Sequence, residues 1–277
     1  MKAKKWMKVS LMLVVLSVCV LAGCSGNKEN KGDGNTGTAA SSLDAIKKRG
    51  KLIIGVKFDT KLFGLMNPAS KEVEGFDIDI AKALAKSILG DETKIELKEV
   101  TSKTRIPMLD NNEIDLIIAT MTITEERREQ VEFSEVYFEA GQSLLVKKGS
   151  KITSIDDIAK GTKVLAVKGS TSVDNIKAKA PEATVLEFDN YQDAFSALKA
   201  GQGDTLTTDN SILYGMMAQD PGYEVVGEPF TDEPYGIAIK KGETALVEAV
   251  NGALKAIKDN GEYDKIYEQW IGTMPTK

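Results

Sequence analysis

The sequence predicts an α/β fold built from two similar units. Short apolar runs of strand length alternate with segments whose apolar residues recur at helical spacing, and this alternation restarts near residue 163. With 277 residues, of which 42% are hydrophobic and 28% charged, the chain is long enough for two domains and apolar enough to bury their cores. Each unit is therefore expected to hold a mainly parallel sheet flanked by helices.

In the first unit, strands are predicted at residues 51–56, 96–100 and 114–120. Ile80, Leu84 and Ile88 recur at helical spacing before Gly90, which predicts a helix that ends at that glycine. Residues 105–111 are predicted as a second helix, with Pro107 tolerated in its first turn. Because parallel strands end at the same edge of a sheet, ligand-facing loops are expected after them.

The second unit repeats this order and is predicted to interrupt the first. Its predicted strands are 163–167, 185–188 and 204–207, its helices are 173–179 and 191–200, and helices 245–258 and 263–270 follow. Extended segments 143–147 and 235–240 bracket the second unit as candidate crossover strands. We therefore predict a first lobe of residues 43–142 and 232–277, a second lobe of 143–231, and a binding cleft between them.

Composition excludes several classes of function. A net charge of −5 argues against a nucleic-acid-binding protein. The sequence has no histidine, which removes His-assisted nucleophilic triads, histidine proton shuttles and nearly every kind of zinc site. Cys19 and Cys24 are the two cysteines, too few for a disulfide framework. No catalytic residue, metal or cofactor is predicted.

The first residues are typical of an export signal. Lysines at positions 2, 4, 5 and 8 precede an apolar stretch at 9–22 that is shorter than the ~20 residues of a membrane span. The stretch ends in LAGC (21–24), which resembles the lipobox of bacterial lipoproteins. That resemblance implies a signal peptide at 1–23, a lipidated Cys24 and attachment to the extracellular face of the cell membrane. Residues 24–42 lack large apolar side chains beyond the lipidated cysteine and are predicted to be a flexible tether.

Several motifs resemble those of the family 3 extracellular solute-binding proteins, the polar amino-acid receptors of ABC importers. They occur in the order RIP, MTITEER, VEFS, KGST and TD (105–107, 121–127, 131–134, 168–171 and 208–209), preceded by GFDIDI (75–80). GVKFD (55–59), NP (67–68) and TDEPYG (231–236) resemble the glutamine- and glutamate-binding lipoproteins of Gram-positive bacteria. The resemblance implies a type II periplasmic-binding-protein fold, with two lobes joined by two crossover strands.

The resemblance also implies how the charged ends of an amino acid are bound. Arg127 resembles the family's carboxylate-clamping arginine, whose planar fork can make two parallel hydrogen bonds. Asp209 stands where the family places the carboxylate that binds the ligand's ammonium group. Thr120 and Thr122 follow a buried strand and offer hydroxyls to the ligand, and Thr171 would hold its carboxylate from the second lobe. Turn formation and helix capping are the ordinary alternatives for Asp209 and these threonines.

Lys57 and Arg105 are predicted to contact the side-chain end of the ligand. A lysine at position 57, where many relatives carry an acid, disfavours cationic ligands through like-charge repulsion. Arg105 matches the position that reaches the side chain in acidic amino-acid receptors. The surplus of positive charge favours glutamate, whereas the resemblance to glutamine-binding lipoproteins implies glutamine. Glutamine is expected first and glutamate second, with Asp59 and Glu233 available to accept the amide hydrogens of glutamine. Surface solvation is the alternative for Lys57 and Arg105.

The resemblance implies an ABC permease and its ATPase as partners, with the membrane contacted through the lipid anchor alone. The same family contains cyclohexadienyl dehydratases, so a cleft enzyme is the alternative from another class. Such an enzyme needs a general acid or base in the cleft, and a carboxylate could take that part without histidine. The paired contacts for a zwitterion and the lipobox favour a tethered receptor.

Overall fold

The structure is a computed structural model that describes residues 42–272. The predicted signal peptide, Cys24 and the tether up to residue 41 lie outside these residues. Helix α1 begins at Ser42, the last residue of the predicted tether. Within residues 42–272, no helix is both long enough and apolar enough to cross a membrane.

The α-helices of the described part are α1 (Ser42–Arg49), α2 (Phe76–Leu89), α3 (Arg105–Asp110), α4 (Glu125–Gln130), α5 (Thr171–Lys179), α6 (Tyr191–Lys199), α7 (Asn210–Gln219), α8 (Thr244–Asp259) and α9 (Glu262–Trp270). The strands are β1 (Leu52–Val56), β2 (Asp59–Thr60), β3 (Gly64–Met66), β4 (Val73–Glu74), β5 (Ile95–Glu99), β6 (Leu116–Ile117), β7 (Val131–Ala140), β8 (Gln142–Lys147), β9 (Lys163–Val167), β10 (Thr184–Phe188), β11 (Thr205–Asp209), β12 (Tyr223–Val226) and β13 (Glu233–Lys240).

Two five-stranded sheets organise the chain, and each is parallel on one side and antiparallel on the other. The first sheet has the order β5-β1-β6-β13-β7, in which β1 pairs parallel with β5 and β6, while β13 runs antiparallel to β6 and β7. The second has the order β10-β9-β11-β8-β12, with β9 parallel to β10 and β11, and β8 antiparallel to β11 and β12. The predicted α/β architecture is confirmed. The strands that alternate with helices, β5, β1 and β6 in the first sheet and β10, β9 and β11 in the second, pair in parallel as expected.

Helix α2 shows how the GFDIDI motif builds the first core. Ile80 and Leu84 are buried in the main cluster of the first sheet, as helical spacing predicts. Gly75 precedes the helix with φ 147°, and a β-carbon there would overlap the backbone carbonyl of Phe63. Gly90 ends the helix in the left-handed conformation, and its N–H donates to the Lys86 carbonyl. The motif therefore fixes both the start of α2 and its close approach to residue 63.

The chain passes from one sheet to the other just before each predicted crossover strand, and not within it. Segments 143–147 and 235–240 are strands, but each lies inside one sheet, as parts of β8 and β13 respectively. The first passage is at Gly141, between β7 and β8, and the second lies between Phe230 and the start of β13. The two passages touch each other, because the N–H of Phe230 donates to the Gln142 carbonyl at 2.8 Å.

The predicted strand at 114–120 is shorter in the structure, where β6 covers Leu116 and Ile117. The Ile118 N–H still donates to the Gly55 carbonyl, but Thr120 has φ 47°. A left-handed residue cannot continue a strand. The chain therefore leaves the sheet at the residues predicted to contact the ligand.

Candidate ligand-binding site

The predicted site residues lie at the ends of strands and the starts of helices, at the edges of both sheets. Lys57 follows β1, Thr120 and Thr122 follow β6, Arg105 begins α3, Arg127 lies in α4, Thr171 begins α5 and Asp209 ends β11. Their charges influence one another: Arg105, Arg127 and Asp209 each contribute to the pKa of at least one of the others. The structure thus brings the charged members of the set into one cluster.

Three atoms of this cluster are buried without a hydrogen-bond partner. Within residues 42–272, the buried side-chain nitrogen and oxygen atoms of this kind are Arg105 Nε, Thr120 Oγ1 and Asp209 Oδ1. All three residues are at most 4% exposed. Burying a polar atom without a partner costs about 1–3 kcal/mol, and more when the group is charged. The arrangement can therefore complete its hydrogen bonding with a molecule that brings both donors and acceptors.

Asp209 is held with one carboxylate oxygen occupied and the other unpartnered. The Tyr235 hydroxyl donates to Asp209 Oδ2 at 2.6 Å and lies 3.2 Å from Ser211 Oγ. Although Asp209 directly precedes α7, its side chain makes no capping hydrogen bond to that helix. Burial, followed by the charge of Glu233, raises the pKa of Asp209 to about 7. A cation at Oδ1 would oppose both effects and favour the carboxylate.

Two buried cations, Lys57 and Arg105, also belong to the cluster. The Lys57 ammonium group donates to Ser102 Oγ at 2.9 Å and lies 5.1 Å from the centre of the Tyr191 ring. Burial lowers the pKa of Lys57 to about 7. Arg105 Nη1 donates to the Ala119 carbonyl at 2.8 Å, and burial lowers the pKa of this guanidinium to about 9. Two desolvated donors at one end favour a ligand that ends in an oxygen acceptor.

Arg127 links segments from the two sheets. Its Nη1 donates to the Thr122 carbonyl at 2.7 Å, and its Nη2 donates to the Gly169 carbonyl at 3.2 Å. Burial lowers the pKa of this guanidinium, while Asp209 and Glu233 raise it. Because a guanidinium has five N–H donors, others remain for a carboxylate. Gly169 also approaches the Lys103 backbone, where a β-carbon would lie 2.9 Å from the Cα atom.

Thr171 uses its hydroxyl within the protein. Its Oγ1 donates to Glu233 Oε2 at 2.8 Å and accepts from Gln142 Nε2 at 2.9 Å. Glu233 also accepts hydrogen bonds from Thr231 and Asn175. The predicted hydroxyl contact between Thr171 and a ligand carboxylate therefore competes with this network. The backbone N–H groups at the start of α5 are the alternative donors for an anion.

Asp59 is also engaged, in a contact between β2 and the start of α6. Its Oδ2 accepts from the Tyr191 N–H at the start of α6 at 2.8 Å, and its Oδ1 accepts from Thr60 Oγ1. The sequence suggested that Asp59 and Glu233 are available to accept the amide hydrogens of glutamine. In the structure both carboxylates already accept hydrogen bonds from protein donors. A cavity of about 600 Å³ opens beside Arg127, lined in part by Lys103, Gly169 and Asn175.

Sequence reasoning missed several residues that support the cluster. Tyr235 lies in the TDEPYG motif and Asp77 in GFDIDI, so a motif marked both residues without indicating their contacts. Asp77 is buried, accepts from the Tyr137 hydroxyl at 2.9 Å and from the Thr120 N–H at 3.2 Å, and burial raises its pKa to about 7. No motif marked Ser102 or Tyr191, which reach Lys57 from distant parts of the sequence.

Two α/β sheets with oppositely charged, buried side chains at their facing strand ends define a binding protein for a small charged molecule. The chain belongs to the bacterial extracellular solute-binding proteins, family 3, whose family model matches residues 52–273. It is 60% identical over 268 residues to the ABC transporter glutamine-binding protein GlnH of Bacillus subtilis. The match covers 97% of this chain and 98% of that protein.

A glutamine-binding protein of Geobacillus stearothermophilus is 63% identical over 244 residues, 86% of this chain and 93% of that protein. Among solved structures, an ancestral arginine-binding protein bound to glutamine is 46% identical with a TM-score of 0.76. That match covers 81% of this chain and 99% of the ancestral one. The family and the type II binding-protein fold implied by the sequence motifs are thereby confirmed.

The raised pKa of Asp209 predicts how stability depends on pH. Its folded pKa of about 7 lies above the ordinary value of 3.8, so the folded state holds a proton that the unfolded state releases between these values. The free energy of unfolding of the ligand-free protein should therefore fall as pH rises from about 4 to 7, by up to about 1.4 kcal/mol per pH unit for each such group.

Denaturant unfolding at pH 5, 6 and 7 measures this slope. Asp77 titrates over the same range, so Asp209→Asn should reduce the slope by about half without abolishing it. A slope that is the same in wild type and variant would contradict the assignment of a protonated, buried Asp209.

Proposed function

We propose that this protein is the receptor that captures glutamine outside the cell and delivers it to the permease and ATPase of an ABC importer. The observation that carries the proposal is the set of buried, unpartnered atoms at Arg105 Nε, Thr120 Oγ1 and Asp209 Oδ1. The unpartnered carboxylate oxygen of Asp209 and the nearby cations match a zwitterion with a polar side chain. The two relatives that are 60% and 63% identical are both named as glutamine-binding proteins, which supports the same ligand.

The backbone ends of the amino acid would occupy opposite charges. Its ammonium group would donate to Asp209 Oδ1, which has no hydrogen-bond partner within residues 42–272. Its carboxylate would accept from the remaining donors of Arg127, from Thr120 and Thr122, and from the N–H groups at the start of α5, beside Thr171. Because Arg127 also contacts the Gly169 carbonyl, a bound carboxylate would strengthen a link between the two sheets that already exists.

The side-chain amide would lie at the end formed by Lys57 and Arg105. Its carbonyl oxygen would accept from Arg105 Nε, the unpartnered donor at this end. With a pKa of about 7, Lys57 can present either an ammonium group or a neutral amine, and the neutral amine accepts an amide hydrogen. Glutamate would match the surplus of positive charge, so we place it second. A dehydratase is not proposed, because the similar relatives are named as binding proteins.

Isothermal titration of the purified protein with glutamine, glutamate, arginine and histidine tests the ligand. Glutamine should bind most tightly, and Asp209→Ala should weaken it by about 2–5 kcal/mol, because the ammonium group would be buried without its partner. Asp204→Ala is the matched control, since it removes an exposed acid just before the same strand, β11. Tightest binding of arginine or histidine would refute the side-chain assignment, whereas tighter glutamate would reverse only the ranking.

We also propose that Cys24 carries a lipid that anchors the protein to the extracellular face of the membrane. Support comes from the lipobox-like LAGC at 21–24 and from a family described as extracellular. Cys24→Ala should release the protein into the medium or leave its precursor uncut, because the modified thiol would be lost. Cell fractionation with mass spectrometry of the first residues measures this. Membrane retention of a correctly cleaved Cys24→Ala variant would contradict the proposal.

A further inference from the structure

The second residue of helix α2, Asp77, is a buried acid that contacts the site without facing the proposed ligand. Its side chain is 0% exposed and has no salt bridge within the described residues. Its Oδ1 accepts from the Tyr137 hydroxyl at 2.9 Å, and its Oδ2 accepts from the Thr120 N–H at 3.2 Å. Both oxygens are therefore occupied by protein donors, and the second one reaches the backbone of the site.

The peptide unit between Ala119 and Thr120 lies between two charged side chains. Its N–H, which belongs to Thr120, donates to Asp77, while its C=O, which belongs to Ala119, accepts from Arg105 Nη1 at 2.8 Å. Because a trans peptide is planar, these two groups point in opposite directions. Turning the plane over would place the carbonyl against the carboxylate and the N–H against the guanidinium. The acceptor oxygen of Asp77 and the donor of Arg105 therefore select one orientation of this peptide.

That orientation coincides with a strained backbone at Thr120, whose φ is 47°. A β-branched residue in the left-handed region is an outlier that persists when its surroundings hold it there. Thr120 Oγ1 and Arg105 Nε are two of the three unpartnered buried atoms. The Thr120 side chain belongs to the residue that follows this peptide, and the Arg105 side chain donates a hydrogen bond to its carbonyl. Whatever fixes the peptide also fixes where these two atoms point.

We propose that Asp77 is a positioning residue for ligand binding, which orients Thr120 and Arg105 through the peptide between Ala119 and Thr120. Tyr137 holds the carboxylate in place from the opposite side. This inference rests on the proposed binding of glutamine and gives the GFDIDI motif a part in recognition, in addition to starting α2. Asp77 itself touches no ligand atom in this account.

The test compares substitutions that differ in whether they keep the hydrogen bond to Thr120. Asp77→Leu removes both acceptors, whereas Asp77→Asn keeps an oxygen for the Thr120 N–H and offers its amide to the Tyr137 oxygen. Asp79→Leu is the matched control: Asp79 lies two residues further along α2 and accepts from Trp270 Nε1 at 2.8 Å, away from the site. All variants are made in the full chain and checked for cooperative unfolding.

Two quantities are measured: the Kd for glutamine by calorimetry and the exchange rate of the Thr120 amide hydrogen by NMR without ligand. Asp77→Leu should raise the Kd at least about tenfold and accelerate exchange at Thr120 by a similar factor. For Asp77→Asn and Asp79→Leu, the Kd for glutamine and the exchange rate at Thr120 should both stay within about threefold of the wild-type values. If wild type binds glutamine and Asp77→Leu binds equally well, the inference is overturned.

The amide exchange separates this inference from the proposed function. If wild type fails to bind glutamine, the proposed ligand is wrong, and unchanged exchange at Thr120 in Asp77→Leu would overturn the positioning as well. If Asp77→Leu does not fold, Tyr137→Phe replaces it, with Tyr263→Phe as control, because the Tyr263 hydroxyl donates to the Tyr137 carbonyl instead. Tyr137→Phe should raise both quantities several-fold, and equal values in the two tyrosine variants would contradict the proposal.

Discussion

Burial of charge without full pairing is the constraint on which the rest of this structure depends. Lys57, Arg105 and Asp209 are each at most 4% exposed, and two of them keep an unpartnered atom. In water these groups would be fully solvated, so the fold gives up solvation that a ligand can replace. Asp209 and the nearby Arg127 match the ammonium and carboxylate of a zwitterion, and Lys57 and Arg105 match a polar side chain. The missing hydrogen-bond partners of these buried groups therefore indicate where a ligand would bind.

The surrounding structure holds these groups in place through neutral donors and backbone. Tyr235 occupies one oxygen of Asp209, Ser102 accepts from Lys57, and the Ala119 carbonyl accepts from Arg105. All three supporting groups lie in or shortly after strands of the first sheet. The network around Glu233 that contains Thr171 also includes Gln142 of the second sheet and Thr231 of the passage between the sheets. Because the Tyr235–Asp209 hydrogen bond joins the first sheet to the second, we expect the proposed ligand binding to be coupled to the contact between the sheets.

Much of the fold could be predicted from the sequence, because periodicity and glycine positions report local structure. The spacing of Ile80 and Leu84 before Gly90 predicted α2 closely. The strand at 114–120 was predicted too long, since nothing local signals the left-handed backbone of Thr120, whose N–H donates to Asp77 some forty residues earlier in the sequence. Tyr191 was missed for the same reason: its approach to Lys57 is a tertiary contact. The ligand contacts of the predicted site residues stay predictions.

A crystal structure of the protein with glutamine tests the central claim most directly, because it shows which atoms the ligand satisfies. We expect the ligand ammonium group within hydrogen-bond distance of Asp209 Oδ1, the side-chain carbonyl oxygen at Arg105 Nε, and a ligand atom at Thr120 Oγ1. A complex in which glutamine occupies the cavity beside Arg127, while these three atoms keep no partner, would contradict the account.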